Sequence, residues 1–205
     1  MFYTLILKQN FIISFVFTVD NLVIIGGFVS SGRTSDVDLL SIPTNSEICD
    51  PLDLEYSVYG HSSVATKLGI LTCGGLTLDP NTTYTDSTTT CSLQTKDGQT
   101  TTFPPMKRRR VYFGLGIVND VVYAVGGEGS PTTMEFINTK IDSEWTLKNL
   151  NFSVADHCVV TTKNSLVITG GVEIRSNSNF GWVNQKFGFA IDVKKLKNND
   201  FRFST

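Results

Sequence analysis

Charged residues and helical periodicity are both scarce in this 205-residue chain. Only 18% of its residues are charged, 17 basic against 19 acidic, while 40% are apolar. This balance excludes the highly charged composition of disordered chains, and an acidic pI of about 5.6 argues against a nucleic-acid partner. No segment keeps a helical period, and no apolar run reaches the roughly twenty residues that a membrane span needs.

Residues for metal or acid–base chemistry are also few. The chain has two histidines, His61 and His157, and four cysteines. A metal pair at the histidines is one interpretation, but only Asp156 and Cys158 stand close by, and neighbouring strand residues point to opposite faces. We expect both histidines to be structural. With no nucleophile elbow or paired catalytic carboxylates in evidence, the sequence predicts no catalytic residue, no metal and no cofactor.

Four Gly-Gly doublets, each ending an apolar run, are the most informative feature that the chain does have. Their first glycines are 48, 52 and 44 residues apart, and the doublets are Gly26-Gly27, Gly74-Gly75, Gly126-Gly127 and Gly170-Gly171. A β-rich segment that ends in a glycine pair once per roughly fifty residues has the period of a propeller blade. Glycine allows positive φ and close backbone approach, so we interpret all eight glycines as structural blade corners.

Alignment on the doublets predicts a hairpin before each one and a second pair of strands after it. His61 and His157 each stand thirteen residues before a first glycine, and the third copy begins at Phe113. An Asp-Gly turn at 97–98 lies between two strand-like runs, which is a strong hairpin signal. The prediction is a single all-β domain, 1–205, with four-stranded blades at about 10–56, 57–106, 107–151 and 152–205.

Residues 1–19 allow two interpretations. The apolar run at 11–19 follows Lys8 and is compatible with the core of a signal peptide, although no small-x-small cleavage site follows it. The alternative is an inner strand that leads through a turn at 20–21 to the next strand, as before the other doublets. We favour the strand.

The third unit resembles a kelch repeat. Met106, an arginine at Arg109 or Arg110, the doublet Gly126-Gly127, Phe136 and Trp145 occupy the places of that family's signature, and we assign its arginine to Arg109. Units one and two lack the tryptophan, and Trp182 in unit four lies too near its doublet to fit.

This resemblance implies a kelch-type β-propeller. Such rings usually close with five to seven blades, so four units predict an incomplete or open ring whose exposed strand edges invite self-association. It also implies a non-enzymatic module that binds another protein, unidentified by the sequence, through loops between strands and between blades, among them 28–34, 76–87 and 173–182. The alternatives are a substrate-recruiting kelch module of an intracellular ubiquitin ligase and a fragment of a secreted galactose-oxidase-like enzyme.

The run Lys107–Arg110 is the one dense charge cluster. It fits a patch for nucleic acid or an acidic partner. The interpretation we favour is a loop between blades in which one arginine packs inside.

The cysteines and sequons favour a secretory setting over a cytoplasmic one. Cys73 and Cys91 fall on neighbouring predicted strands, a geometry that suits a disulfide, although two free cysteines remain the alternative. Cys49 and Cys158 have no evident local partner. N-glycosylation sequons begin at Asn81 and Asn151, both in predicted loops.

Overall fold

A computed structural model describes residues 12–17, 21–29, 32–41, 58–78, 85–95, 97–174, 182–184 and 188–193. These segments form strands and turns, and they contain no helical element. It follows that they include no helix long and apolar enough to cross a membrane. The prediction of an all-β chain is confirmed.

Within these segments the main strands form four antiparallel sheets, one in each predicted unit. Sheet 1 contains β1 (Ile12–Phe17), β2 (Asn21–Val29) and β3 (Gly32–Ser41). Sheet 2 contains β5 (Ser62–Ala65), β6 (Gly69–Cys73), β9 (Cys91–Thr95) and β10 (Thr100–Phe103). Sheet 3 contains β11 (Gly114–Val118), β12 (Val121–Val125), β13 (Thr133–Asn138) and β14 (Thr146–Asn149). Sheet 4 contains β15 (Cys158–Thr161), β16 (Ser165–Thr169) and β19 (Gly188–Asp192).

Two small sheets are attached at one end of this array. One joins β4 (Val58–Tyr59), β7 (Leu76–Leu78) and β8 (Thr85–Ser87), and the other joins β17 (Val172–Ile174) and β18 (Trp182–Asn184). The segments 76–87 and 173–182, predicted as loops, therefore include strand pairs. The segment 28–34 likewise lies mostly in β2 and β3.

The predicted four-strand pattern is observed in units two and three. The described parts of units one and four give three main strands each. The favoured strand interpretation of 11–19 agrees with β1 at 12–17. A fourth strand in unit one or unit four would fall outside the described residues.

The doublets at 74–75, 126–127 and 170–171 directly follow β6, β12 and β16, as predicted. The doublet at 26–27 differs, because it lies inside β2, at a shift of the register with β3 between Ile25 and Gly27. A bulge inserts an extra residue without ending the strand, and glycine suits it for the same conformational reason as it suits a corner. At this doublet the strand therefore continues through the predicted corner.

Innermost strands of successive sheets lie side by side: β1 beside β5, β5 beside β11, and β11 beside β15. Sheet 3 is buried on both faces because alternate residues of β12 point to opposite sides. Val122 and Ala124 pack with sheet 2 in a cluster that includes Trp145. Tyr123 and Val125 pack with sheet 4. We call these clusters the 2–3 core and the 3–4 core.

Strand direction gives the array two distinct ends. In β11 and β12 the pair Gly114 and Val125 lies near the doublet, and the pair Val118 and Val121 lies at the far turn. We call the end with the glycine doublets the doublet end and the other the turn end. At the turn end, Asn119 and Asp120 have φ of 53° and 64°. Two consecutive left-handed residues make the tight hairpin turn that matches strand twist.

Candidate interaction surface at the doublet end

Three residues at the doublet end share a left-handed backbone and one place in the repeat. Gly60, Tyr112 and Asp156 each stand fourteen residues before a first glycine, with φ of 66°, 52° and 53°. The N–H of Tyr112 donates to the carbonyl of Gly60 at 2.8 Å, and the N–H of Asp156 donates to the carbonyl of Tyr112 at 2.7 Å. We call them the link residues, because these bonds join three successive units.

Sequence reasoning missed the link residues, although the doublet alignment places them in one column. Glycine, tyrosine and aspartate share no side-chain property, so the column carries no compositional signal. What the three residues share is a backbone conformation that only the folded units reveal.

Tyr112 is the strained member of this set. A bulky residue at positive φ is a genuine outlier, and strain of this kind costs roughly 1–3 kcal/mol and concentrates at functional sites. Its ring packs on Gly60, since a Cβ placed on Gly60 would lie 3.0 Å from Cε1 of Tyr112. The ring is half-buried, so part of it faces solvent.

Two carboxylates and a second tyrosine surround Tyr112. Burial raises the pKa of Tyr112 to about 12, and Tyr59, Glu128 and Asp156 raise it further in the same direction. Burial and the neighbouring Asp156 also raise the pKa of Glu128. All four side chains are only partly buried. The centre of the doublet end is therefore aromatic and negatively charged.

Hairpins frame this centre in units two and four. Leu76 in β7 pairs with Tyr59 in β4. The repeat-equivalent isolated bridges join Val111 to Glu128 and Ala155 to Val172. The β7–β8 hairpin is also held from the next unit, because Nη1 of Arg109 lies 2.5 Å from Oδ1 of Asp86. The same backbone pairing therefore anchors the segment after each of these three doublets.

The predicted signature of unit three lies beneath this surface. Met106 and Trp145 are buried in the 2–3 core, and Nε1 of Trp145 donates to the carbonyl of Pro104 at 2.8 Å. Phe136 packs on Tyr123 with ring centroids 5.9 Å apart. Met106 and Trp145 pack between sheets 2 and 3, whereas Phe136 packs against the 3–4 core, so the signature side chains leave the doublet end to other residues.

The buried arginine is Arg110, whereas the sequence assigned the signature arginine to Arg109. Arg110 is fully buried, and its Nη2 lies 3.0 Å from Oε1 of the equally buried Glu135. Its Nη1 donates to the carbonyl oxygens of three residues, Gly126 at 2.7 Å, Thr133 at 3.0 Å and Ser130 at 3.2 Å. Arg109 is mostly exposed and pairs with Asp86. Because four basic residues follow one another, the sequence alone does not indicate which of the two arginines is buried.

The basic run 107–110 is therefore not one continuous patch. Lys107 pairs with Glu144 at 3.0 Å on the surface, and its backbone N–H donates to Glu135. With Arg109 paired and Arg110 buried, the favoured interpretation of an inter-unit loop with one packed arginine agrees with the structure.

Both histidines are buried, as expected for structural residues. His157 packs among three glycines: its atoms lie about 3 Å from the positions that a Cβ would take on Gly114, Gly126 and Gly171. Burial lowers the pKa of His157 to about 4, and a backbone contact with Val125 only partly offsets this effect. Within the described part of the chain, no hydrogen bond of normal geometry reaches its ring nitrogens. Across the described segments, no group of three His, Cys, Asp or Glu side chains could hold a metal ion.

The predicted disulfide Cys73–Cys91 is present. It joins the paired ends of β6 and β9 beside the second doublet. Cys158 is a half-buried thiol whose pKa is raised by burial and by Asp156. Cys49 lies outside the described residues. The sequon at Asn151 is exposed in a bend between β14 and β15, and the one at Asn81 also lies outside the described segments.

Comparison of the chain with protein-family models and with curated proteins finds no match.

Proposed function

We propose that this chain is a kelch-type β-propeller, or part of one, that binds another protein at its doublet end and catalyses no reaction. The four repeated sheets, with innermost strands side by side, are consistent with that architecture. The signature of unit three supports the family, with Arg110 in place of Arg109.

Tyr112 is the single observation that carries the choice of surface. Tyrosine is enriched among the residues that dominate binding energy at protein interfaces, since a large ring with a polar tip orders at low entropic cost. Tyr112 is held in a strained conformation with its ring partly exposed at the centre of the doublet end. The other two link residues take the same conformation with a glycine and an aspartate, so the fold does not require a tyrosine here, and we assign the ring to partner contact.

The charge around Tyr112 indicates what the partner contributes. Glu128 and Asp156 lie close enough to raise the pKa of Tyr112. A partner with arginine or lysine at the contact would complement this field. In the expected complex, the Tyr112 ring is the main contact. The carboxylates of Glu128 and Asp156 accept charge-assisted hydrogen bonds from arginine or lysine side chains of the partner.

Selection of phage-displayed random peptides on the immobilised chain tests this proposal. We expect the recovered peptides to be rich in arginine, lysine and aromatic residues. We also expect the affinity of the best peptides to fall at least about tenfold in Tyr112→Gly, the loss of one anchor side chain. Glycine keeps the left-handed backbone without strain, so this variant removes the ring while preserving the fold.

The matched control is Lys140→Ala, which removes an exposed charge at the turn end. It should bind the peptides as the wild type does. A further variant, Glu128→Gln, should weaken binding less at high salt than at low salt, because salt screens the charge that this substitution removes. Peptides that bind Tyr112→Gly and wild type equally would place the interaction elsewhere and contradict the proposed surface.

A further inference from the structure

Sheet 2 turns a polar face towards unit one. Its strands place Val64, Leu71 and Leu93 in the 2–3 core, on the side of sheet 3. Because side chains alternate along a strand, the residues next to these three lie on the opposite face. That face is turned towards unit one, whose β1 lies beside β5. We call it the polar face, and its members are Ser63, Thr72, Ser92 and Gln94.

The polar face is buried, although it consists of hydroxyl and amide groups. Its four residues are only 2–5% exposed. Ser63 lies opposite Thr72, and Thr72 lies opposite Ser92. Oγ of Ser63 lies 2.9 Å from Oγ1 of Thr72, and the hydroxyl of Ser92 has no hydrogen-bond partner among the described residues. A buried hydroxyl gains less than an apolar side chain does, because it gives up hydrogen bonds to water.

The corresponding positions of the next two units are apolar. Counted back from the first glycine of the doublet, Ser63 and Thr72 stand at positions eleven and two. Gln94 pairs with the residue at position four, Ile70. At these three places unit three has Leu115, Ala124 and Ile137, and unit four has Val159, Ile168 and Ile191. All six belong to the 2–3 and 3–4 cores. Apolar contacts therefore join units two to four, whereas unit two presents polar groups to unit one.

We propose that the array opens between units one and two while units two to four stay together. Separation of the 2–3 core or the 3–4 core exposes apolar side chains to water, which costs free energy. Separation at the polar face instead lets hydroxyl and amide groups bind water. In repeat arrays stability is a sum of unit and neighbour terms, so the array opens at its weakest neighbour contact.

This opening leaves the doublet-end surface of the proposed function intact. Gly60, Tyr112 and Asp156 belong to units two, three and four, and the backbone bonds between them do not involve unit one. The opening is thus a motion of unit one against the rest of the array, independent of whether a partner binds at the doublet end.

Thiol labelling of the folded chain measures the opening. Ser63→Cys and Ala124→Cys each place a thiol at a small buried residue that faces the preceding unit. A buried thiol reacts with iodoacetamide only when the interface in front of it opens, so the labelling rate reports the opening equilibrium. We expect Ser63→Cys to react at least about 100-fold faster, since apolar side chains at all three positions make the 2–3 core harder to open. Peptide mapping by mass spectrometry separates the introduced thiol from the native cysteines.

Urea distinguishes local opening from unfolding of the whole chain. The labelling rate of Ser63→Cys should rise only weakly with urea below the unfolding midpoint, because separation of one interface exposes little surface. Labelling of Ala124→Cys should rise as steeply as global unfolding does. Addition of Thr72→Val to Ser63→Cys should slow its labelling about 3- to 10-fold, because a methyl group replaces a hydroxyl at the contact.

Gln94→Cys and Ile137→Cys form a second matched pair, because the two residues hold equivalent positions on the third strands. The first should again be labelled faster than the second. Equal rates within both pairs, or an equally steep dependence on urea, would show that all units open together and would overturn the proposal. An unchanged rate after Thr72→Val would equally overturn it, because the polarity of this face would then not govern the opening.

Discussion

At the scale of single residues, Arg110 connects more of the described structure than its neighbour Arg109 does. Its side chain ties β13 to the third doublet through Glu135 and Gly126. Its carbonyl accepts the N–H of Gly75 from the preceding unit. The sequence indicated a basic run with one packed arginine. Tertiary packing decides whether the side chain of Arg109 or that of Arg110 turns inward.

We expect Arg110→Ala to lower the free energy of unfolding by about 3–5 kcal/mol, because it leaves the buried carboxylate of Glu135 without its cation. Denaturant unfolding measures the loss. The adjacent Arg109→Ala is the control and should cost less than about 1 kcal/mol, since that pair is exposed. Equal effects of the two substitutions would contradict the assignment of the buried role to Arg110.

His157 makes a second residue-scale prediction, a dependence of stability on pH. The pKa of His157 is about 4 in the fold and about 6.5 in an unfolded chain, so the unfolded state binds more protons between these values. Its contribution to stability is therefore complete above about pH 6.5 and lost as the pH falls towards 4. The loss amounts to roughly 3 kcal/mol.

The variant His157→Phe isolates this contribution. Unit three already holds Phe113 in the equivalent place, against Gly74 and Gly127. Stability measured between pH 4 and 7 should fall less steeply in this variant than in the wild type. Parallel curves for the two proteins would mean that His157 does not titrate as its burial requires.

At the scale of elements, the sequence predicted the four-strand pattern of units two and three. The β-branched runs, the doublets and the Asp-Gly turn each have a local physical signal. The strands β7, β8, β17 and β18 were missed, because three residues are too few to show an alternating pattern and these segments are extended only through pairing with residues outside their own sequence window. The bulge at Gly26 was missed for the same reason, since a register shift depends on the partner strand.

Gly126→Ala tests whether the doublets are sites of close approach. A left-handed alanine costs about 1–2 kcal/mol, and the collision of its Cβ with the carbonyl of Val154 should add roughly 1–3 kcal/mol. Thermal and denaturant unfolding measure the sum. Gly98→Ala has the same backbone strain without a neighbour, so it should show the first cost alone. The two variants would be equally destabilised if the doublet needed only backbone freedom.

At the scale of the whole molecule, sheet 3 contributes to both the 2–3 core and the 3–4 core. Alternate residues of β12 face the two clusters. A substitution in one core is therefore expected to alter the packing of the other through sheet 3. In repeat proteins stability is a sum of unit and neighbour terms. The period in the sequence predicted four units, but which residues of each unit face which neighbour could not be derived without the strand register.

We expect Trp145→Ala to destabilise sheet 4 although Trp145 lies in the 2–3 core. Removal of this fully buried ring should cost about 3–5 kcal/mol. Hydrogen exchange should then show faster exchange in β15 and β16 as well as in β12 and β13. Ile141→Ala, at a side chain that is 80% exposed, should change none of these rates. Faster exchange confined to sheets 2 and 3 would show that the units open separately.

The hydrogen bonds between link residues also bear on how such a chain evolves. They run from one main chain to the next, through Gly60, Tyr112 and Asp156, and involve no side-chain atom. The spacing between neighbouring units is thus specified by atoms that every amino acid except proline possesses. Mutation can then erase a unit's signature side chains while its position in the array is preserved. Repeated units joined in this way can diverge in sequence faster than in shape.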